Sequence, residues 1–271
     1  MNPNPFITIT LLIYSILGAE TISIVSAQTN MPIMISAHRG NTGKAPENTL
    51  STFKKALQLQ VDFIEIDVRT TQDGELVILH DGSLERTTNG TGSVKNWLFA
   101  DLKNLSAGKG VPGYENERIP SLLEVCQLVR RWNTWHRKKI YLYVDCKDVN
   151  PESLIHKLKF FGLANNSIYY GNDSFLSALK QAFPAAKLLP SLRQKEQINQ
   201  KIDAMHPYAF DANFNSLTDE MVKEIHAQGT RVFVDLLGPL DIEFNYRKAK
   251  DLGVDLIQTD KPLLVFKTLN R

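Results

Sequence analysis

From residue 33 onward, short runs of apolar and β-branched residues alternate with segments whose apolar residues recur at helical spacing. Such alternation is typical of strand–helix units and favours a parallel sheet covered by helices. The predicted strands are 33–37, 62–68, 75–80, 140–146, 167–170, 187–190, 208–211, 231–236 and 255–258. The predicted helices are 48–59, 121–133, 151–161, 173–183, 194–202, 218–228 and 241–251. The pattern predicts an α/β fold, a (β/α)8 TIM barrel, although it contains one strand more than that barrel needs.

One segment interrupts the alternation. Residues 81–120 contain six glycines and many polar residues, with no sustained apolar period. Irregular segments of this length are uncommon inside compact domains and are often functional. We therefore predict a small insertion at about 81–120, after the strand that ends at His80, over one end of the barrel.

The N-terminus has a different pattern. Residues 6–18 are almost all apolar, no Lys or Arg precedes Arg39, and small residues stand at 25–27. These features predict a signal peptide over residues 1–27 and a secreted or periplasmic location. The apolar run is shorter than the roughly 20 residues of a membrane span, so we expect no stable span after its removal. A buried helix or an uncleaved anchor is the alternative.

Removal of residues 1–27 leaves 244 of the 271 residues, which matches one barrel, and the predicted domain runs from 33 to 266. The 31 basic and 29 acidic residues nearly balance, at a net charge of +2, and give no reason to expect a nucleic-acid partner. The two cysteines, Cys126 and Cys146, form no zinc pattern with histidine. A disulfide between them is possible but is not required at this chain length.

Acidic residues interrupt two of the predicted strands on one face. Glu65 and Asp67 alternate with apolar residues, and Asp145 and Lys147 do the same on the next long strand. Carboxylates that face a barrel interior are costly unless they are paired, and a divalent cation bound through oxygen would resolve this cost. The alternatives are acids exposed on an edge strand and a simple Asp145–Lys147 ion pair.

Histidines end two of the predicted strands. His38 is followed by Arg39, and His80 ends the strand over 75–80. The C-terminal strand ends form the active face of a (β/α)8 barrel, where histidine suits proton transfer near neutral pH. Arginine binds phosphate oxygens in a fork, so the set favours phosphodiester chemistry. The remaining histidines are expected at the surface: His136, His156, His206 and His226.

These residues lie within motifs that resemble the glycerophosphodiester phosphodiesterase family. The matching segments occur in one order and extend over nearly all of residues 33–263. They are 37–40 (AHRG), 45–49 (APENT), 65–67 (EID), 73–74 (DG), 80–81 (HD), 85–92 (ERTTNGTG), 118–122 (RIPSL), 145–147 (DCK) and 259–262 (TDKP). The resemblance implies a TIM barrel with a small insertion and hydrolysis of glycerophosphodiesters to glycerol 3-phosphate and an alcohol.

The resemblance also implies roles for individual residues. One divalent cation, Ca²⁺ or Mg²⁺, would be held by Glu65, Asp67 and Asp145. The catalytic residues would be His38 and His80. Phosphate-binding or supporting positions would be Arg39, Glu47 and Lys147. We assign His38 as the base that activates the glycerol 2-hydroxyl and His80 as the acid, through a cyclic phosphate that water then opens; direct attack by water is the alternative.

Two departures from the family pattern affect this interpretation. The family usually has Glu where Asp145 stands, and it commonly has Trp near the end of the seventh strand, where Asp235 stands here. A phospholipase D-like enzyme that acts on lysolipids or sphingolipids and releases a cyclic phosphate would share the metal and histidine set, and it is an alternative. It would need an apolar entrance, which residues 97–99 would provide unless they form the core of the insertion. A non-catalytic barrel that binds phosphate ligands is a second alternative.

Overall fold

The strands form one mostly parallel sheet in the residues that the computed structural model describes, which are 32–41, 43 and 45–271. They are β1 (Met34–Ala37), β2 (Phe63–Thr70), β3 (Leu76–Ile78), β4 (Tyr141–Cys146), β5 (Ile168–Tyr170), β6 (Lys187–Leu189), β7 (Ser191–Leu192), β8 (Ala209–Ala212), β9 (Arg231–Leu236) and β10 (Leu256–Thr259). The helices are α1 (Leu50–Gln58), α2 (Phe99–Leu102), α3 (Leu122–Trp135), α4 (Pro151–Phe160), α5 (Asp173–Ala182), α6 (Gln197–Met205), α7 (Asp219–Ala227), α8 (Glu243–Asp251) and α9 (Pro262–Leu269). The predicted signal peptide lies outside the described residues.

The sheet curls into a nearly closed barrel. Its strands follow the order β6-β5-β4-β2-β1-β10-β9-β8-β7, and every pairing along this path is parallel. The two ends of the path, β6 and β7, flank Pro190 and together fill one strand position. The described part of the chain therefore has eight strand positions with helices between them, and the predicted TIM barrel is confirmed. None of its helices is long and apolar enough to cross a membrane.

The surplus predicted strand is explained by β3. This strand pairs antiparallel with the end of β2, from Val68 opposite Ile78 to Thr70 opposite Leu76, so it lies off the barrel path. The prediction that a strand extends to His80 is wrong, because β3 ends at Ile78. The insertion that follows packs with β3 around a small separate apolar core, whose buried members are Val77, Leu79, Leu84, Val94, Leu102, Ala107 and Ile119.

Residues 97–99 belong to this insertion. Trp97 and Phe99 pack against its core, whereas Leu98 is 45% exposed. The structure therefore favours the interpretation of these aromatic side chains as insertion core.

The alternation along the strands separates two buried layers. Ile64, Ile66 and Val68 of β2 join the large core between the barrel and its helices. The opposite face of the strands fills the barrel with an apolar plug, which consists of Phe63, Tyr143, Ile168, Leu189, Ala209, Phe233 and Leu256. Because side chains alternate along a strand, Glu65 and Asp67 follow Phe63 on the inner face, toward the C-terminal end of the barrel.

Candidate active site

Three carboxylates meet inside the C-terminal end of the barrel. The parallel register pairs Asp67 of β2 with Asp145 of β4, and Glu65 lies one inward position earlier on β2. Each of the three contributes an oxygen, and these oxygens lie within 4.8 Å of one another. Glu65 is 2% exposed and Asp67 is 1% exposed. Burial, together with the charges of Asp67 and Asp145, raises the pKa of Glu65 well above its usual value.

Two cationic side chains border the cluster. Lys147 Nζ lies 2.5 Å from Asp145 Oδ2 and 3.1 Å from Asp67 Oδ1, and Arg39 Nε lies 3.5 Å from Asp67 Oδ2. Burial alone would lower the pKa of Lys147, but Asp67 and Asp145 raise it above its ordinary value. The Asp145–Lys147 ion pair thus exists alongside the carboxylate cluster. The three carboxyl groups outnumber the two cationic side chains, so a further positive charge would be balanced at this site. A donor set made only of oxygen atoms fits a hard divalent cation.

The loop between β1 and α1 places polar groups on these carboxylates. The backbone N–H of Arg39 donates to Glu65 Oε2 at 2.5 Å, and Asn48 Nδ2 donates to Asp67 Oδ2 at 2.7 Å. Arg39 and Asn48 have φ values of 52° and 56°, in a backbone region that residues other than glycine rarely adopt. Asn48 itself does not cap α1, because Thr49 is the N-cap and its side chain accepts from Thr52 N at 3.3 Å.

His38 emerges from β1 beside the end of β10, since Ala37 pairs with Thr259 in the parallel register. Its Nδ1 atom lies 2.9 Å from Asp260 Oδ1, which also accepts from Asn41 Nδ2 at 3.3 Å. Asp260 is absent from the predicted site residues. Its signal in the sequence is its position just after a predicted strand, where His38 and His80 were found, within the segment 259–262.

His80 is held from the insertion. Its Nδ1 atom lies 2.7 Å from Asp81 Oδ1, and Arg86 Nε donates to Asp81 Oδ2 at 2.6 Å. Arg86 also donates through two nitrogens to the carboxylate of Glu47, at 2.8 Å each. These hydrogen bonds connect the insertion to the β1–α1 loop. Arg86 was missed as a site residue, although it lies in the glycine-rich segment 85–92 that carries part of the resemblance.

Glu47 links the two arginines. It accepts from Arg39 Nη1 at 2.9 Å in addition to Arg86. Burial would raise the pKa of Glu47, but hydrogen bonds and charges from Arg86 and Arg39 lower it below its usual value. An ionised carboxylate repels phosphate, so its geometry suits a supporting role that aims Arg39, one of the two roles predicted for this position.

Asp235 lies on β9, the seventh strand position, two residues after Phe233 and on the same inner face. Burial, together with the nearby carboxylates of Asp211 and Asp145, raises its pKa well above the usual value. Asp211 accepts from Arg193 Nη2 at 3.3 Å and from Ser191 Oγ at 3.4 Å. The residue at the predicted departure from the family pattern thus does face the barrel interior.

A cavity of about 690 Å³ opens beside the carboxylate cluster. It extends from Asp145 and Lys147 across the ends of β4 and β5 to β7. A cavity of this volume accommodates a small organic ligand. Its lining consists of Asp145, Cys146, Lys147, Tyr170, Gly171, Asn172, Asp173, Ser174 and Ser191.

Comparison with known proteins agrees with this geometry. The model of the glycerophosphoryl diester phosphodiesterase family matches residues 38–264. The chain belongs to this family. The glycerophosphodiester phosphodiesterase of Caldanaerobacter subterraneus subsp. tengcongensis is 32% identical over 244 residues, which are 86% of this chain and 96% of that protein. That of Bacillus subtilis is 29% identical over 261 residues, covering 87% of this chain and 86% of the relative.

Solved structures give the same result. An Oleispira antarctica phosphodiesterase, solved in complex with the product sn-glycerol-3-phosphate, superposes with a TM-score of 0.78 at 25% identity, over 88% of this chain and 97% of that one. The glycerophosphodiester phosphodiesterase of Agrobacterium tumefaciens gives a TM-score of 0.77, also at 25% identity, over 86% and 98% of the two chains. The resemblance that the motifs predicted is therefore confirmed at the level of family and fold.

Proposed function

We propose that this member of the family hydrolyses glycerophosphodiesters to glycerol 3-phosphate and an alcohol. The observation that carries the proposal is the arrangement of two carboxylate-held histidines, two cationic side chains and three clustered carboxylates at one end of the barrel. Each histidine is engaged at Nδ1, so its Nε2 atom is the nitrogen available for proton transfer.

Charge neutralisation is the first requirement of this chemistry. In the proposal, the guanidinium of Arg39 and the ammonium of Lys147 bind the phosphate oxygens, and Glu47 holds Arg39 in place. Glu65, Asp67 and Asp145 would hold one divalent cation, Ca²⁺ or Mg²⁺. When bound, such a cation supplies charge neutralisation at the phosphoryl oxygens.

Proton transfer is the second requirement. His38 accepts the proton of the glycerol 2-hydroxyl as that oxygen attacks phosphorus, and His80 donates a proton to the departing alcohol oxygen. A cyclic phosphate results, and water opens it with the two histidines in reversed roles. In this scheme His38 serves the oxygen that forms a bond to phosphorus, and His80 serves the oxygen whose bond to phosphorus breaks.

The alternatives are less well supported. The aromatic side chains of Trp97 and Phe99 pack against the insertion core, so they do not provide the apolar entrance that a lysolipid substrate needs. A barrel that only binds phosphate ligands would have no use for two separately oriented histidines.

A secreted or periplasmic location stays a prediction from residues 1–27.

The proposal is tested with the variants His38→Ala and His80→Ala. We expect kcat on glycerophosphocholine to fall by roughly 10²- to 10⁴-fold in each, the usual contribution of a general acid or base. Binding of Ca²⁺ or Mg²⁺, followed by calorimetry, should change little. His156→Ala on the exposed face of α4 is the control and should keep wild-type activity.

A second arm uses EDTA and a second substrate. Chelation should abolish hydrolysis, and re-addition of Ca²⁺ or Mg²⁺ in turn identifies the supporting ion. Full activity in either histidine variant would refute the acid–base assignment. Faster turnover of lysophosphatidylcholine than of glycerophosphocholine would favour the phospholipase D-like alternative.

A further inference from the structure

The backbone of Asp260, whose carboxylate holds His38, is anchored by the buried side chain of Asp241. The backbone N–H of Asp260 donates to Asp241 Oδ2 at 3.1 Å, and the Thr259 hydroxyl donates to Asp241 Oδ1 at 2.6 Å. Asp241 is 1% exposed and also accepts from the phenol of the fully buried Tyr246. A polar side chain this deeply buried is costly unless it is hydrogen-bonded, and these donors satisfy both of its carboxyl oxygens.

Further bonds fix the turn that carries Asp260. The backbone N–H of Lys261 donates to the Thr259 hydroxyl oxygen at 2.8 Å, and Lys261 Nζ donates to the backbone oxygen of Asp241 at 2.9 Å. The residues on both sides of Asp260 are therefore tied to the segment before α8. Asp260 has little freedom to leave His38.

The carboxylates that hold the two histidines differ in their other hydrogen-bond donors. The carboxylate of Asp81, beside His80, also accepts from the Arg86 guanidinium at 2.6 and 3.0 Å. The carboxylate of Asp260 instead accepts from the neutral amide of Asn41. Apart from His38, the side-chain hydrogen-bond partner of the Asp260 carboxylate is therefore neutral, although the charge of Arg39 also acts on it.

We propose that Asp260, locked by Asp241, is a positioning residue that keeps the proton of neutral His38 on Nδ1 and so presents Nε2 as the proton acceptor of the first step. The inference rests on the proposed function and extends it to residues that do not touch the substrate. A carboxylate on Nδ1 both selects this tautomer and stabilises the imidazolium that forms.

The central test is Asp260→Asn, which preserves shape and removes charge. We expect kcat on glycerophosphocholine to fall by roughly 10² or more, with KM changed by less than about threefold, because His38 acts on proton transfer and not on binding. Asp260→Ala should lose at least as much, and Asp260→Glu should recover part of the loss.

The chain contains a matched control at the other end of the barrel. Asp255 Oδ2 lies 2.9 Å from His226 Nε2 and accepts from Val232 N at 2.8 Å. Asp255→Asn therefore makes the same change to a histidine-bound carboxylate away from the site. It should cost stability at most and leave kcat within about twofold, since no group of the site is altered.

The role of the anchor is tested by Tyr246→Phe, because Asp241→Asn risks unfolding the segment. Loss of the phenol should lower kcat by a smaller factor, about three- to tenfold, with KM unchanged. Wild-type kcat in Tyr246→Phe would restrict the positioning role to Asp260.

A readout without turnover separates this inference from the proposed function. Two-bond ¹H–¹⁵N spectra report which ring nitrogen of His38 is protonated, with the resonance assigned by its loss in His38→Ala. We expect the Nδ1–H tautomer in the wild type and in Asp255→Asn, and a shift toward Nε2–H in Asp260→Ala. An inactive wild type with the expected spectra would contradict the proposed function alone. Unchanged spectra together with kcat within threefold in Asp260→Ala, while His38→Ala is inactive, would overturn the inference.

Discussion

Individual acidic residues inside the barrel determine much of the chemistry of this site. Asp235 and Asp211 lie beyond the predicted metal cluster, and burial raises the pKa of both above the usual value. Arg193 offsets part of this effect at Asp211 through a contact of 3.3 Å. Asp235 forms no ion pair among the described residues, and Arg193 and Gln258 offset only part of the rise in its pKa, so its ionisation should cost the fold more than that of Asp211.

This cost is measurable in Asp235→Asn. An acid whose folded pKa is raised stabilises the fold below its unfolded pKa, near 3.8, and loses that contribution as pH rises through the folded pKa. We therefore expect the variant to raise the free energy of unfolding at pH 8 by about 1 kcal/mol in EDTA, because it removes a charge that lies close to the carboxylates of Asp211 and Asp145. At pH 4 the gain should vanish.

Urea unfolding at the two pH values checks this expectation. The exposed Asp203→Asn is the control and should change stability little at either pH. A variant that is less stable than the wild type at pH 8 would show that the Asp235 carboxylate is well solvated or paired.

Among the elements, the turn between β1 and α1 constrains the site most tightly. Gly40 has a φ of 68°, and an added Cβ would overlap the Phe53 ring and lie 2.9 Å from Thr52 Cγ2. The hydroxyl of Thr52 also donates to the Gly40 carbonyl oxygen at 2.7 Å. The close approach of this turn to α1 keeps the backbone N–H of Arg39 on Glu65, so packing of one helix positions the site.

Gly40→Ala tests this constraint against Gly229→Ala. Gly229 has a similar φ of 74° but open space around its Cα, so its variant reports backbone strain alone. We expect Gly229→Ala to cost about 1–2 kcal/mol and Gly40→Ala about 2–4 kcal/mol, because overpacking adds to strain. Chemical denaturation of both variants provides the comparison. Equal costs would mean that Phe53 moves aside freely.

At the scale of the whole molecule, the net charge of +2 hides a local excess of acid. Three carboxylates lie close together inside the C-terminal end of the barrel, those of Glu65, Asp67 and Asp145. They are on β2 and β4, which must pair for the barrel to close. The mutual repulsion of these carboxylates opposes folding, so a bound cation should stabilise the entire barrel and not only its loops.

The corresponding prediction concerns thermal unfolding with and without Ca²⁺ or Mg²⁺. A cation at 100 times its dissociation constant should add about 2.7 kcal/mol to the stability of the folded state, by mass action. Glu65→Gln should abolish most of this increase, whereas the exposed Glu196→Gln should retain it. An identical cation-induced shift in Glu65→Gln and wild type would place the ion elsewhere.

The sequence alone was sufficient to predict the barrel, the insertion and the positions of the candidate site residues other than Asp260 and Arg86. Period-two alternation along 62–68 and 140–147 is a local property, and it separates Glu65, Asp67 and Asp145 from the apolar residues of their strands whatever the distant chain does. The end of β1 likewise marked His38, because parallel barrels gather such strand ends on one face. His80 instead follows the antiparallel β3, which lies off the barrel path.

Only the tertiary structure decided how these residues are held. His38 and Asp260 are 222 positions apart and meet because β1 pairs with β10 when the barrel closes. The antiparallel course of β3 and the reach of Arg86 from the insertion to Glu47 depend on packing in the same way. A local pattern encodes which side chains of a strand share a face. It does not encode their partners, because contacts between distant segments form only when the chain is compact.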